Sequence, residues 1–204
     1  MTNSLLYNKF LLIIKILFIC FFITEKNIAA ENEEFKNITE GNKKAKIEIL
    51  VYESLTCPHC AIFHKEIYPD LKKDFIDKGL VKIQFKSFPL DMAALNASKI
   101  AHCKNDGKSD ILHFLYHNQN IWIKGKTVDE ITLNLKTIIN KENYGIDFNE
   151  CLNNEKIENQ ILEDRIQGAK KFDINSTPTL IINNKKFNKP LTYKNIKKAI
   201  EKLI

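Results

Sequence analysis

Cys57-Pro58-His59-Cys60 is the segment whose residue types and spacing can do chemistry. Two thiols at this spacing can close into a local disulfide or supply half of a metal site, and the surrounding sequence separates the two. Lys46 to Glu53 (KIEILVYE) is apolar and β-branched and reads as a buried strand. Ser54-Leu55-Thr56 follows, with Thr56 expected as the N-cap of a helix that starts at the cysteine pair. At a helix N-terminus, unpaired backbone N–H groups and the positive end of the dipole face the first sulfur and favour its thiolate. Pro58 suits the first turn, where its missing N–H costs nothing. His59 is expected to bring a donor or a positive charge near Cys57. A depressed thiol pKa stabilises the reduced pair and makes Cys57 a good leaving group, so the disulfide becomes oxidising. Cys60, one turn inward, is the expected buried partner that resolves mixed disulfides. Zinc would need a second ligand pair. His64 extends the motif to C-x-x-C-x3-H, but the next cysteine is the distant Cys103. A purely stabilising bridge across a two-residue gap would contribute little loop entropy. Thiol–disulfide exchange, with no metal and no cofactor, is the reading that remains.

The elements around the pair alternate between strand and helix. Ile62, Phe63, Ile67, Leu71 and Phe75 recur at helical spacing, and Gly79 is expected to end that helix. Val81 to Lys86 alternates as a second strand, and a right-handed crossover makes the two strands parallel. Residues 91–171 read as helical throughout. They include an Ala-rich stretch from Ala93 to Cys103, a segment from Asp110 to His117, and capping boxes at Thr127 and Asp147. A further helical stretch is read from Glu155 to Gln167. Thr179 to Ile182 returns to strand, Asn183-Asn184 makes a hairpin turn, Lys185 to Asn188 is the returning edge, and Thr192 to Leu203 closes as a helix. The pattern is an α/β domain over residues 31–204, interrupted by a helical insertion at about 91–171.

Residues 1–30 read as an address. Lys9 precedes an apolar run from Phe10 to Ile23 broken by Lys15, and Ala29-Ala30 precede a polar start, as in a cleavable secretion signal. The run is too short for an ordinary spanning helix, although an uncleaved anchor with a snorkelling Lys15 is an alternative. Cys20 would leave with the signal, and the other four of the five cysteines would work where disulfides persist. The chain of 204 residues carries a net charge of +6, but residues 1–30 hold three lysines and one glutamate, leaving 28 basic against 24 acidic residues. The lysines are dispersed, which gives no nucleic-acid footprint.

Thr177-Pro178 stands directly before the strand at Thr179, where proline is sterically allowed. Strand, CPHC, helix and a later Thr-Pro together resemble the thioredoxin fold. CPHC and the large helical insertion resemble the DsbA-type thiol:disulfide oxidoreductases of bacterial periplasms. Ser54 to Cys60, Phe88-Pro89-Leu90-Asp91 and Ser176-Thr177-Pro178-Thr179 carry the match, which extends from about Lys46 to the C-terminus. The resemblance implies that Pro178 is cis and packs beside Cys57. It also implies that Thr177 offers backbone groups to an extended substrate, and that Cys57 is attacked while Cys60 resolves. It further implies unfolded exported proteins as substrates and a membrane quinone-linked partner that reoxidises the pair. Members of the family often carry a buried acid six positions before the first cysteine, where this chain has Val51. Glu53 shares its strand parity and is either a substitute for proton transfer or a solvated strand-end glutamate.

Cys103 and Cys151 remain, both in the helical insertion, and are expected to bond to each other. Two free thiols or a second redox couple are the alternatives. His113 and His117, at i and i+4, are read as ordinary surface or partly buried histidines rather than metal ligands, as are His64 and His102. Trp122 reads as a core anchor. Phe88, Leu90 and Met92 either border the site or pack. The function expected is a monomeric periplasmic oxidase that introduces disulfides through a mixed disulfide at Cys57. A disulfide isomerase or reductase is the alternative, disfavoured by the short stretch between Ala30 and the first strand. A non-catalytic binding module would have to treat CPHC as incidental.

Overall fold

The computed structural model describes residues 34–204; the secretion signal read in residues 1–30, with Cys20, lies outside them. The apolar alternation of the central segments produces a five-stranded mixed sheet. Its strands are β1 (Ile38–Gly41), β2 (Ile47–Glu53), β3 (Val81–Ser87), β4 (Thr179–Ile182) and β5 (Lys185–Lys186), in the order β1-β3-β2-β4-β5. β2 and β3 are parallel, as a right-handed crossover requires, with Val51 opposite Phe85 and Glu53 opposite Ser87. β4 runs antiparallel to β2, and β1 and β5 close the two edges antiparallel to their neighbours. The β4–β5 connection is Asn183-Asn184, both at positive φ (44° and 61°), as a two-residue hairpin turn demands. β5 is shorter than the expected Lys185 to Asn188. β1 was not anticipated, because four residues ending in glycine carry no readable alternation.

Helix α1 crosses over between β2 and β3. It runs without a break through Pro58–Ile62, Phe63–Ile67, Tyr68–Leu71 and Lys72–Ile76, and its second and fourth segments are π-helical. Those wider turns rotate the apolar stripe away from a strict 3.6-residue register. Phe63, Leu71 and Phe75 are buried as expected, but Ile62 is exposed. Gly79, at φ +72°, then turns the chain into β3.

The insertion comprises α2 (Met92–His102), α3 (Asp110–His117), α4 (Gln119–Trp122), α5 (Val128–Glu142), α6 (Phe148–Leu152) and α7 (Glu155–Phe172), and α8 (Tyr193–Glu201) closes the chain. Side chains cap most of these starts: Asp91, Thr127, Asp147, Asn154 and Thr192 each accept a backbone N–H of the first turn. Apart from a small cluster of Leu95, Ile157 and Ile161 between α2 and α7, the insertion shares the core of the sheet. Leu112, Leu115, Tyr116, Trp122, Leu135 and Ile139 join Ile49, Val51, Phe63 and Phe85 in one continuous buried cluster. Trp122 is fully buried, and its indole N–H donates to the Leu115 carbonyl at 2.9 Å. On the other face of the sheet, Tyr52 packs with Phe88, Ile174 and Ile181. Gly168 of α7 lies against that ring so closely that a Cβ there would sit 2.5 Å from Tyr52 Cε1.

Cys103, at the end of α2, is bonded to Cys151 of α6, with Cα atoms 5.3 Å apart across 48 positions of sequence. In the chain-entropy account a loop of that size stabilises by about 4 kcal/mol. Replacing both cysteines by alanine is expected to lower the unfolding free energy by about 2–4 kcal/mol, read from the denaturant midpoint. Gly168→Ala should cost about 1–3 kcal/mol through overpacking against Tyr52, and thermal unfolding of the variant tests it.

Candidate active site

Cys57 occupies the N-cap of α1 with extended backbone (φ −76°, ψ 120°), and no side chain caps this helix start. Thr56, expected in that position, instead donates its hydroxyl to Asp91 Oδ2 at 2.7 Å. The physical reason is the turn before the helix, in which the Cys57 N–H donates to the Ser54 carbonyl at 3.0 Å and moves the helix start one residue on. Asp91 also caps α2 through Oδ1, and the Leu90 N–H donates to Ser54 Oγ at 3.3 Å. The loop before the cysteines and the entry to the insertion are thus stitched together. From the insertion itself, buried Gln119 donates to the carbonyls of Leu55 (2.7 Å) and Cys57 (3.0 Å). Sequence reading missed Gln119, because nothing local marks a glutamine more than sixty positions away as the anchor of a loop.

Cys57 and Cys60 are both free thiols. Hydrogen bonding from the Cys60 thiol pulls the Cys57 pKa down to about 5, against the effect of burial, and the backbone N–H groups of Cys60 and His59 assist. His59 therefore acts on the sulfur through its backbone N–H, while its imidazole lies exposed beside it. Cys60 is fully buried, and burial together with its donation to Cys57 drives its thiol strongly upward. The two thiols thus have opposed acidities, one ionised at neutral pH and one held protonated.

The Thr177–Pro178 peptide bond is cis, and Thr177 sets its carbonyl 3.3 Å from the Cys57 sulfur, close enough to accept the thiol proton. A groove of about 350 Å³ opens between the start of α1 and this turn, lined by His59, Ile62, Phe63, Ile67, Pro178 and Leu191. Phe88 is buried beside Tyr52, whereas Leu90 and Met92 are exposed.

Glu53 points to the α1 face of the sheet, as its parity with Val51 requires, and is 3% exposed. Burial raises its carboxyl well above the usual range, and the neighbouring Cys57 sulfur pushes the same way. Its Oε2 lies 2.7 Å from Nε2 of His64, which is itself fully buried and held neutral by burial. His64 was set aside as an ordinary histidine. Its spacing of four from Cys60 was the available signal, since it places both on one helix face. Among the described residues, no group of three or more histidines, cysteines or acids could hold a metal ion.

The thioredoxin family model matches residues 33–202. The chain belongs to the thioredoxin family. Its fold is the thioredoxin fold with an inserted helical subdomain of the DsbA kind. Wolbachia pipientis alpha-DsbA1 is 30% identical, with a TM-score of 0.73 covering 82% of this chain and 90% of that one. BdbD from Bacillus subtilis is 27% identical, with a TM-score of 0.69 over 82% of this chain and 92% of that one. A putative protein-disulfide oxidoreductase of Rickettsia prowazekii is 30% identical over 80% of this chain, which spans only 60% of that relative's length. Disulfide bond formation protein D of Bacillus subtilis is 28% identical over 79% of this chain and 74% of that one. The chain is thus a DsbA-like member of its family, and its homologues are protein-disulfide oxidoreductases.

If Cys60 is the main source of the low Cys57 pKa, alkylation of the reduced protein will titrate as a single thiolate with a midpoint near pH 5. Cys60→Ala should move that midpoint up towards the ordinary thiol range. The same depression fixes a stability sign. Below about pH 5 the Cys57 thiol is protonated in both folded and unfolded chains. As pH rises from there, only the folded reduced form gains from ionisation, up to the unfolded value of about 8.5. Denaturant melts of the two redox forms should therefore show the reduced form gaining on the oxidised one across that window.

Proposed function

We propose that this protein is a periplasmic thiol:disulfide oxidase that introduces disulfide bonds into exported, incompletely folded proteins. The opposed acidities of Cys57 and Cys60 carry the reading. A substrate thiolate attacks Cys57 in the Cys57–Cys60 disulfide, and the electron pair of the broken S–S bond goes to Cys60. A second substrate thiolate then attacks the substrate sulfur of the mixed disulfide and expels Cys57. Because Cys57 is stable as a thiolate at neutral pH, it leaves readily and the reduced pair is the favoured product.

The cis Thr177–Pro178 turn supports a strand-like mode of substrate capture. The Thr177 carbonyl accepts the Cys57 thiol proton only when the sulfur is protonated; in the thiolate of neutral pH and in the disulfide it is free to accept a substrate backbone N–H. The apolar groove at Ile62, Ile67 and Leu191 suits hydrophobic side chains of an unfolded chain. Export is supported by the signal-like residues 1–30 and by the Cys103–Cys151 bridge. Turnover then requires an oxidant for the pair, supplied by a membrane quinone-linked partner.

The test is equilibration of the pair against glutathione together with single-turnover oxidation of a peptide dithiol. A potential well on the oxidising side of thioredoxin's, about −270 mV, and stoichiometric oxidation of the peptide are expected. A potential at or below that value would replace the oxidase by a reductase or isomerase. Cys57→Ala should abolish disulfide formation in an oxidase-deficient bacterium; restoration by that variant would defeat the catalytic assignment.

A further inference from the structure

Behind the redox pair a line of short hydrogen bonds leads away from the substrate groove. Glu53 Oε2 is 2.7 Å from His64 Nε2, His64 Nδ1 is 2.9 Å from His113 Nδ1, and His113 Nε2 is 2.7 Å from Glu40 Oε1. Glu40 also accepts the Ser109 hydroxyl at 2.6 Å and the Tyr68 hydroxyl, with Lys72 at 3.7 Å. These elements meet only in the fold: Glu40 comes from β1, Glu53 from β2, His64 from α1 and His113 from the insertion helix α3.

The line is dry at one end and wet at the other. Cys60 and His64 are fully buried, whereas the side chains of His113 and Glu40 are 19% and 16% exposed. Those two border a cleft of about 430 Å³ with Tyr68, Lys72 and Ser109, which shares no lining residue with the substrate groove. Aromatic rings sheathe the middle: Tyr116 stacks on His64 at 4.0 Å between centroids, Tyr68 stacks on His113 at 4.5 Å, and Phe85 meets both imidazoles. At the inner end Glu53 Oε1 is buried with no hydrogen-bond partner.

We propose that Glu53, His64, His113 and Glu40 form a proton relay that connects the buried Cys60 sulfur to water in this second cleft. The proposal rests on Cys57–Cys60 being the exchanging pair. When a thiolate attacks Cys57, the S–S bond breaks and the Cys60 sulfur receives its electron pair. That sulfur, which feels the Glu53 charge but makes no hydrogen bond to Oε1, takes the proton of the Glu53 carboxyl across a bridging water. The resulting carboxylate accepts the His64 Nε2 proton, and His64 Nδ1 takes the Nδ1 proton of His113 as His113 Nε2, 2.7 Å from Glu40 Oε1, takes one from the cleft side. Water in the cleft supplies that proton. Reoxidation runs the same transfers backwards, so one proton passes each way per cycle. A bound polypeptide covers the groove, and the rear route lets Cys60 change protonation while the front stays closed.

The charges fit the path. Burial raises the Glu53 carboxyl well above its usual range, which favours the protonated form that a donor to Cys60 needs. Burial would also raise Glu40, but hydrogen bonds from His113, Ser109 and Tyr68 outweigh it and hold the carboxyl down at about 2, so it stays ionised beside His113. The other titratable groups facing the line are Cys57, Tyr68 and Lys72 of α1 and Tyr116 and His117 of α3. Burial keeps both phenols protonated, so neither replaces an imidazole as a carrier.

The test uses the reduced protein and an aromatic disulfide whose released thiolate absorbs light. Attack by Cys57 releases the first thiolate, and attack by Cys60, which must give up its proton, releases the second. In His113→Ala the rate of the second release relative to the first should fall by at least about tenfold. Added imidazole, entering from the cleft, should restore it in a concentration-dependent way. Glu40→Gln keeps the side-chain shape while removing the charge. It should lower the same ratio, and it serves if the alanine variant fails to fold. An unchanged ratio in the folded variants, or a loss in His113→Ala that imidazole does not restore, overturns the relay. If the unaltered protein releases no second thiolate, the exchange reading of Cys57–Cys60 fails rather than the relay.

Discussion

A helix start that no side chain caps is the constraint on which this molecule turns. The first N–H groups of α1 need an acceptor, and Cys57 stands at the N-cap without a side-chain hydrogen bond to offer as a neutral residue. Ionising its sulfur supplies the missing negative charge, so helix and thiolate stabilise each other. Pro58 removes one of the unmet donors, and Cys60, one turn on, adds a thiol donor from within the core. The reactivity of Cys57 therefore follows first from the Cys60 thiol donor and then from an ordinary requirement of helix termination.

That arrangement is useful only if the loop before the helix is held still, and the insertion holds it. Gln119 pins the carbonyls of Leu55 and Cys57, while Asp91 joins Thr56 to the first turn of α2. Because the inserted helices share their buried cluster with the sheet and α1, these contacts stand on a rigid base. The Cys103–Cys151 bridge ties α2 to α6 within the same assembly. The insertion thus works as part of the scaffold that places the sulfur.

What the sequence made legible was local. The apolar run of β2, the alternation of β3, the span of β4, the limits of α3 and the Asn183-Asn184 turn are each encoded in a few neighbouring residues. The redox pair was legible because strand, CPHC and helix are adjacent, and Glu53 was placed on the correct face by strand parity alone. Ile62 was misplaced because π-helical turns shift the face of α1, and such turns have no clear sequence signature. β1 was too short to show a period. His64 and His113 were read as ordinary histidines because the contacts that join them to each other and to Glu40 span 49 and 73 positions of the chain. Contacts of that range belong to the topology and leave no mark in local pattern.

The two edges of the sheet have a further consequence. β1 is four residues long and ends at Gly41, whose positive φ of 91° turns the chain away, and β5 is only Lys185-Lys186. A protein that receives unfolded chains by offering them extended backbone would be vulnerable to its own sheet acting as a template for their aggregation. Short strands and paired lysines close that route. On the proposed reading, strand-like capture would then fall to the turn that lies against the reactive sulfur.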